Sequence, residues 1–196
     1  MVIAAGCTTM SPGEAIPATT VDTSTSDLPP PTSGDGEDLP FAGAPKVEDP
    51  LDTTRFQQDP CRTLTADQTR ELNLPPTGEP EKGRPLGNAC VWFNPETWAE
   101  AEVHFADQDP RGLSALYNVK DRYAYFDELP PIDGYPAIAV GALDDRDIGH
   151  CTVVVGVSDE VTFDVPVKLS EANVGKKDPC EAAAGVAAMA LATMKG

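Results

Sequence analysis

Cys151 to Leu169 reads CTVVVGVSDEVTFDVPVKL. Cys151, Val153, Val155 and Val157 fall on alternate positions. After Ser158-Asp159-Glu160, so do Val161, Phe163, Val165, Val167 and Leu169, alternating with Thr162, Asp164, Pro166 and Lys168. Successive side chains of a strand point to opposite faces, so this period of two predicts two strands joined as a hairpin through the polar triplet. Proline has no N–H to give to a ladder, and Pro166 therefore predicts that the second strand lies at a sheet edge.

Downstream, Asp178-Pro179-Cys180-Glu181 is a helix start: a capping Asp, Pro where its missing N–H costs nothing, and a Glu at capping-box spacing. Ala182 to Met194 is apolar nearly all round, which predicts a helix buried against the sheet. Upstream of the hairpin, Ile138 and Val140 alternate with small residues after Gly134-Tyr135-Pro136. Earlier still, Ala89-Cys90-Val91-Trp92-Phe93 is a short run of strand formers, and Ala101, Val103 and Phe105 alternate with Glu102 and His104. Asp109-Pro110 with Leu113, Leu116 and Tyr117 predicts a helix, as do Asp59-Pro60-Cys61 and the capping-box spacing of Thr65-Ala66-Asp67-Gln68, this one ending near Leu72. The order predicts an α+β domain over residues 56–196, a mostly antiparallel sheet with helices packed on it.

Ahead of that domain the composition changes. Residues 8–55 are mostly Thr, Ser, Pro, Gly, Ala, Asp and Glu, with Lys46 as the one basic residue as far as Thr54. Such a segment buries too little apolar area to offset the entropy of ordering, and it reads as a disordered acidic tether. Residues 1–7 end in Ala4-Ala5-Gly6-Cys7, which resembles a bacterial lipobox, the cleavage site before a cysteine whose thiol takes up diacylglycerol. A signal peptide needs an apolar stretch of ~7–15 residues, and only a fragment of one is present. The remnant predicts a palmitate-type lipid anchor on Cys7, with the true start upstream or the segment trimmed. Across 196 residues the net charge is −18, which repels nucleic-acid phosphates and excludes nucleic acid as a partner. No stretch approaches the ~20 apolar residues of a membrane span.

Besides Cys7 there are four cysteines, none in a C-x-x-C pair, which argues against a zinc ribbon or a thioredoxin-like site. In an exported chain they predict two structural disulfides. Cys61 and Cys180 each follow the Asp-Pro of a helix start, and Cys90 and Cys151 each enter an apolar strand. Equivalent places predict Cys61–Cys180 and Cys90–Cys151. The rival pairing is Cys61–Cys90 with Cys151–Cys180, each joining a helix to its neighbouring strand.

The lipobox, the tether, Asp59-Pro60-Cys61, Cys90-Val91-Trp92, Gly112-Leu113 with Leu116-Tyr117, Gly134-Tyr135-Pro136-Ala137, Cys151-Thr152-Val153-Val154 and Asp178-Pro179-Cys180 together resemble the DUF3558 family of actinobacterial lipoproteins. The resemblance covers about Asp59 to the end. It implies a cell-surface lipoprotein with two disulfides at the extracytoplasmic face of the membrane, and it implies no activity.

The chemistry-bearing residues are few. His104 sits on the polar side of an alternating strand, where a solvated surface histidine is the simpler reading, and His150 abuts a cysteine expected to be oxidised. No Gly-x-Ser-x-Gly and no phosphate-cradling loop is present. Asp144-Asp145-Arg146-Asp147 lacks the spacing of an EF-hand and reads as a solvated loop, so no metal site is expected. Tyr123, Tyr125 and Tyr135 stand in an acidic segment with Asp121, Asp127, Glu128 and Asp133 and form the candidate binding face. The expectation is a monomeric, non-catalytic binding or accessory module of the cell envelope, without a cofactor, held at the membrane by the lipid and meeting an envelope protein or a small ligand. The alternatives are a carboxylate-dependent hydrolase, which requires two carboxylates converging in one cleft, and a purely structural envelope protein.

Overall fold

The computed structural model describes residues 38–84, 87–106 and 109–196. Cys7 and the tether as far as residue 37 lie outside them. The helices are α1 (Thr54–Gln58), α2 (Ala66–Glu71), α3 (Gly112–Tyr117) and α4 (Pro179–Lys195). The strands are β1 (Glu79–Arg84), β2 (Gly87–Asn94), β3 (Ala99–Phe105), β4 (Tyr125–Ile132), β5 (Tyr135–Gly141), β6 (His150–Gly156) and β7 (Thr162–Lys168). They form one antiparallel sheet in the order β1-β2-β3-β7-β6-β5-β4. The α+β expectation holds, with two meanders, β1–β3 and β4–β7, joined where β3 pairs with β7.

The local signals act as their chemistry requires. Thr65 and Gln68 form the reciprocal capping box of α2. Asp178 Oδ1 accepts the N–H of Cys180 at 2.7 Å and of Glu181 at 3.3 Å, and Pro179 opens α4. Ala183, Ala187, Ala190 and Leu191 of α4 are fully buried, and small side chains let the helix lie close on Val153, Val155, Val165 and Phe163. Each such valine contributes ~1.5–3 kcal/mol by leaving water. The opposite face of the sheet has a smaller cover, in which Leu113 and Tyr117 of α3 pack on Ile138, Val140 and Val154.

Three expectations are corrected. β7 is a central strand, although it contains Pro166. Its ladder to β6 is continuous from His150↔Lys168 to Gly156↔Thr162, whereas its pairing with β3 joins Ala101↔Val167 and His104↔Asp164 and skips Pro166 and Val165. The missing N–H thus falls at an interruption of one ladder. The edges are β1 and β4, which the alternation rule does not find because their sequences, EPEKGR and YFDELPPI, are charged and proline-rich, as strands without a second neighbour tend to be.

The second correction concerns the tether. Of residues 8–55, the described part, 38–55, packs on the domain instead of hanging free. Ala44 is buried on the α3 side and Val47 on the α4 side. Between these faces the strap rounds the β6–β7 turn, where the Val47 N–H donates to Asp159 Oδ1 at 2.9 Å and the Leu51 N–H to the Val157 carbonyl at 2.8 Å. Three spaced side chains, Ala44, Val47 and Thr53, supply the burial that the polar composition hides. Gly112 makes room at the same turn: its φ is +50°, and a Cβ there would collide with the Asp159 carbonyl.

The third is the disulfide pairing. The bridges are Cys61–Cys90 and Cys151–Cys180, with Cα separations of 5.0 and 5.1 Å. Cys90–Cys151 is excluded by strand order, since β3 and β7 stand between β2 and β6. Three strand spacings of ~4.8 Å amount to ~14 Å, about twice what a disulfide spans. Each bridge instead ties a helical turn to the strand beneath it, within one meander.

Candidate functional site

The three tyrosines of the expected binding face do not share a surface. Tyr125 and Tyr135 open β4 and β5 and point into the core, and Tyr123 lies half-buried with Phe126 and Tyr117 on the other side of the sheet. The Tyr125 hydroxyl donates to Cys151 Sγ at 3.6 Å, and the Arg146 guanidinium covers its ring at 4.1 Å. Arg146 is held there by Asp144 of the acidic loop and Asp127 of β4, at 2.7 and 2.9 Å, and its side-chain hydrogen bond keeps the Asp144 carboxyl low. His150 begins β6, and its backbone N–H donates to the Asp145 carbonyl. Among the described residues, no group of three or more His, Cys, Asp and Glu is placed to hold a metal ion.

His104 differs from its expected solvated place. It is 7% exposed, with Nδ1 3.4 Å from Glu102 Oε1 and Nε2 3.3 Å from Asp164 Oδ2. The register makes this cluster. Glu102 and His104 are two apart on β3 and share a face, and Asp164 is the direct partner of His104 on β7. Burial raises the Asp164 carboxyl to about 6. The Glu102 charge adds to that, while His104 and a bond from Thr162 pull against it. Tyr123 stands near enough that, after burial, the charge of Asp164 also pushes its phenol up. Alternation in the sequence places Glu102 and His104 together, but the third member requires the β3–β7 pairing.

A sizeable concavity lies elsewhere. A groove of about 620 Å³ runs between α4, the end of α2 and the edge where β3 starts and β7 ends. Its floor is apolar: Leu72 and Leu74 after α2, Ala101 of β3, Val167 of β7, and Val186 and Met189 of α4. Lys168, Lys176 and Lys177 stand on the rim with Asn173, and Glu71, Glu100, Asp178 and Glu181 are also present. Gly185 leaves a gap in the α4 wall, where an added Cβ would meet nothing within 4 Å. Thr97 lines the groove as well, and its hydroxyl is buried without a hydrogen-bond partner. Between the lining residues Thr97 and Ala99, Trp98 is 53% exposed at a φ of +59°, with Phe93 edge-on at 5.7 Å and Lys168 Nζ 5.7 Å from its ring. A bulky residue in that backbone region costs ~1–2 kcal/mol, and such strain gathers at functional sites.

Sequence reasoning missed this groove because its walls come from four separate segments. The isolated glycine in an otherwise apolar helix and the tryptophan of the polar turn Asn94-Pro95-Glu96-Thr97-Trp98 are the signals that point to it. Among the described residues, no helix is long and apolar enough to cross a membrane. In comparisons with known proteins, the family model described as a protein of unknown function (DUF3558) matches residues 2–193. No curated protein and no solved structure matches the chain.

Proposed function

The chain belongs to the DUF3558 family, whose description assigns no activity, and from that premise we propose a non-catalytic binding or accessory module of an actinobacterial cell envelope, anchored at the extracytoplasmic face by a lipid on Cys7 and binding its ligand in the groove beside α4. The observation that carries the binding reading is the groove itself. At about 620 Å³, with an apolar floor and a rim of charged and polar side chains, it has the size of a small-molecule site. The anchor rests on Ala4-Ala5-Gly6-Cys7 and on the two disulfides, which suit an oxidising compartment.

Two results test these halves separately. Full-length protein from its host should partition into detergent, and Cys7→Ser should leave it soluble or unprocessed. Wild-type protein found in the cytosol with free thiols ends the anchor reading. Native mass spectrometry of the oxidised chain after incubation with an envelope extract should show a small-molecule adduct that Gly185→Leu, which fills the gap in the α4 wall, removes. No adduct, or the same adduct on both proteins, ends the groove reading.

A second reading, the carboxylate-dependent hydrolase, draws on Glu102 and Asp164 meeting at His104, with Asp164 raised towards the range of a general acid. It ranks lower because both carboxylates face the imidazole and neither lines the groove.

A further inference from the structure

We infer that Glu102, His104 and Asp164 form a proton-dependent latch across the seam between β3 and β7: an imidazolium held between two carboxylates fastens the two meanders, and loss of its proton loosens them. The inference is independent of the groove. The meanders join at β3 and β7, and the backbone ladder is interrupted there. It joins Ala101↔Val167 and His104↔Asp164 and skips the rows between, where Pro166 brings no N–H. By register Glu102 falls opposite Pro166, so side chains cross the seam where the backbone does not. His104 Nδ1 lies 3.4 Å from Glu102 Oε1 on its own strand, and Nε2 lies 3.3 Å from Asp164 Oδ2 on the other. A neutral imidazole carries one N–H and can serve one of the two carboxylates. The imidazolium carries two and serves both.

Burial sets the direction of the switch. The three side chains are only 9–18% exposed. Loss of the ring proton would set two like charges across a little-exposed neutral ring, and the low dielectric there magnifies their repulsion. The surrounding strands favour the charged ring. β2 presents Ala89 opposite His104 and Val91 opposite Glu102, and beyond them β1 brings Glu81 and Glu79 into the same rows. β6 presents Val154 opposite Asp164, and farther along the face Glu100 stands opposite Lys168. Thr162 bonds to Asp164, and Tyr123, its phenol pushed up by burial and then by the Asp164 charge, stays a neutral neighbour. Acid does not open the latch. Asp164, raised by burial to about 6, takes up a proton below that value and leaves Glu102 and the imidazolium as a pair of opposite charges. Release comes on the alkaline side: the stability from His104 is complete below the ~6.5 of an unfolded histidine and is lost as pH rises and the folded ring gives up its proton.

The test uses the full oxidised chain with nitrogen-labelled imidazoles. By NMR, His104 should keep both ring N–H protons at pH 8, where a free imidazole, with its midpoint near ~6.5, has lost one. Amide hydrogen exchange, corrected for its intrinsic rate, is then measured at pH 7 and at pH 9.5, on the order of three units above that midpoint. Protection of the β3 and β7 amides should fall at least tenfold between the two, and protection of the β4 and β5 amides less than threefold. His104→Gln supplies an amide without a charge and should show the loosened seam already at the lower pH. Both measurements on the wild type stand whether or not that variant folds. Glu102→Gln, His104→Gln and Asp164→Asn together remove all three charges with little change of shape, and should abolish the step in seam protection. A ring with one N–H at pH 8, an equal response of the β3 and β5 amides, or a step that survives in the triple variant would each overturn the latch.

Discussion

Replacing Cys151 and Cys180 by serine is expected to lower the melting temperature by about 10 °C. The bridge closes a loop over a separation of 29 residues, for which the chain-entropy model gives about 3–4 kcal/mol. The Cys61–Cys90 bridge has the same separation and the same expected effect. For a domain whose whole stability is ~5–15 kcal/mol, each is a large share, and at this size 1 kcal/mol corresponds to ~2–4 °C. The figure is an upper one, since residual structure in the unfolded chain reduces it. The pattern of doubles is more telling than the size. Cys61→Ser with Cys90→Ser removes one bridge and should be no worse than either single, once the orphan thiol is allowed for. Cys61→Ser with Cys180→Ser removes both and should cost nearly twice as much. These bridges lie in different meanders, so their effects should add. Equal melting of that double and its singles would contradict the pairing, as would an unreduced peptide map linking Cys61 to Cys180.

Asp164→Asn is expected to flatten the dependence of stability on pH between about 4 and 6. The carboxyl rises from an ordinary 3.8 to about 6 on folding, chiefly because burial disfavours its charge. Between those values the folded chain holds a proton that the unfolded chain has released. Stability from this group is therefore fully present below about 4 and is lost as pH rises through 6. A shift of about two units corresponds to roughly 3 kcal/mol, and the side chain is only 18% exposed, so little of it is screened away. Asparagine keeps the shape and has no charge to lose. Its contact with His104 changes, and the titration belongs to the three groups as a unit, so the slope is the quantity to compare. Calorimetric melting temperatures from pH 4 to 8 should fall for the wild type across this window and stay nearly level for the variant. Parallel curves would mean that Asp164 does not carry the effect.

That cluster marks the limit of what alternation conveys. The period of two in Glu100 to Phe105 assigns Glu102 and His104 to one face correctly, and a polar face suggests water. It cannot show that Asp164 stands opposite, because pairing of β3 with β7 is a contact between distant segments. The tyrosines illustrate the same limit from the other side. Tyr123, Tyr125 and Tyr135 are neighbours in sequence, yet the first packs on the α3 side and the other two beneath the α4 side.

What the amino acids determine locally is legible without the fold: the two strands of Cys151–Leu169, the capping box at Thr65, the Asp178-Pro179 start of α4, and the presence of two disulfides. Each is set by hydrogen bonds, periodicity or covalent chemistry within a few residues. The tertiary structure alone decides the strand order, the cysteine partners, the central place of a proline-bearing strand, the strapping of residues 38–55 and the groove beside α4. The physical reason is common to all five. A periodic pattern says which side of an element is buried and carries no label for what buries it, and that choice is made by the packing of segments far apart in the chain.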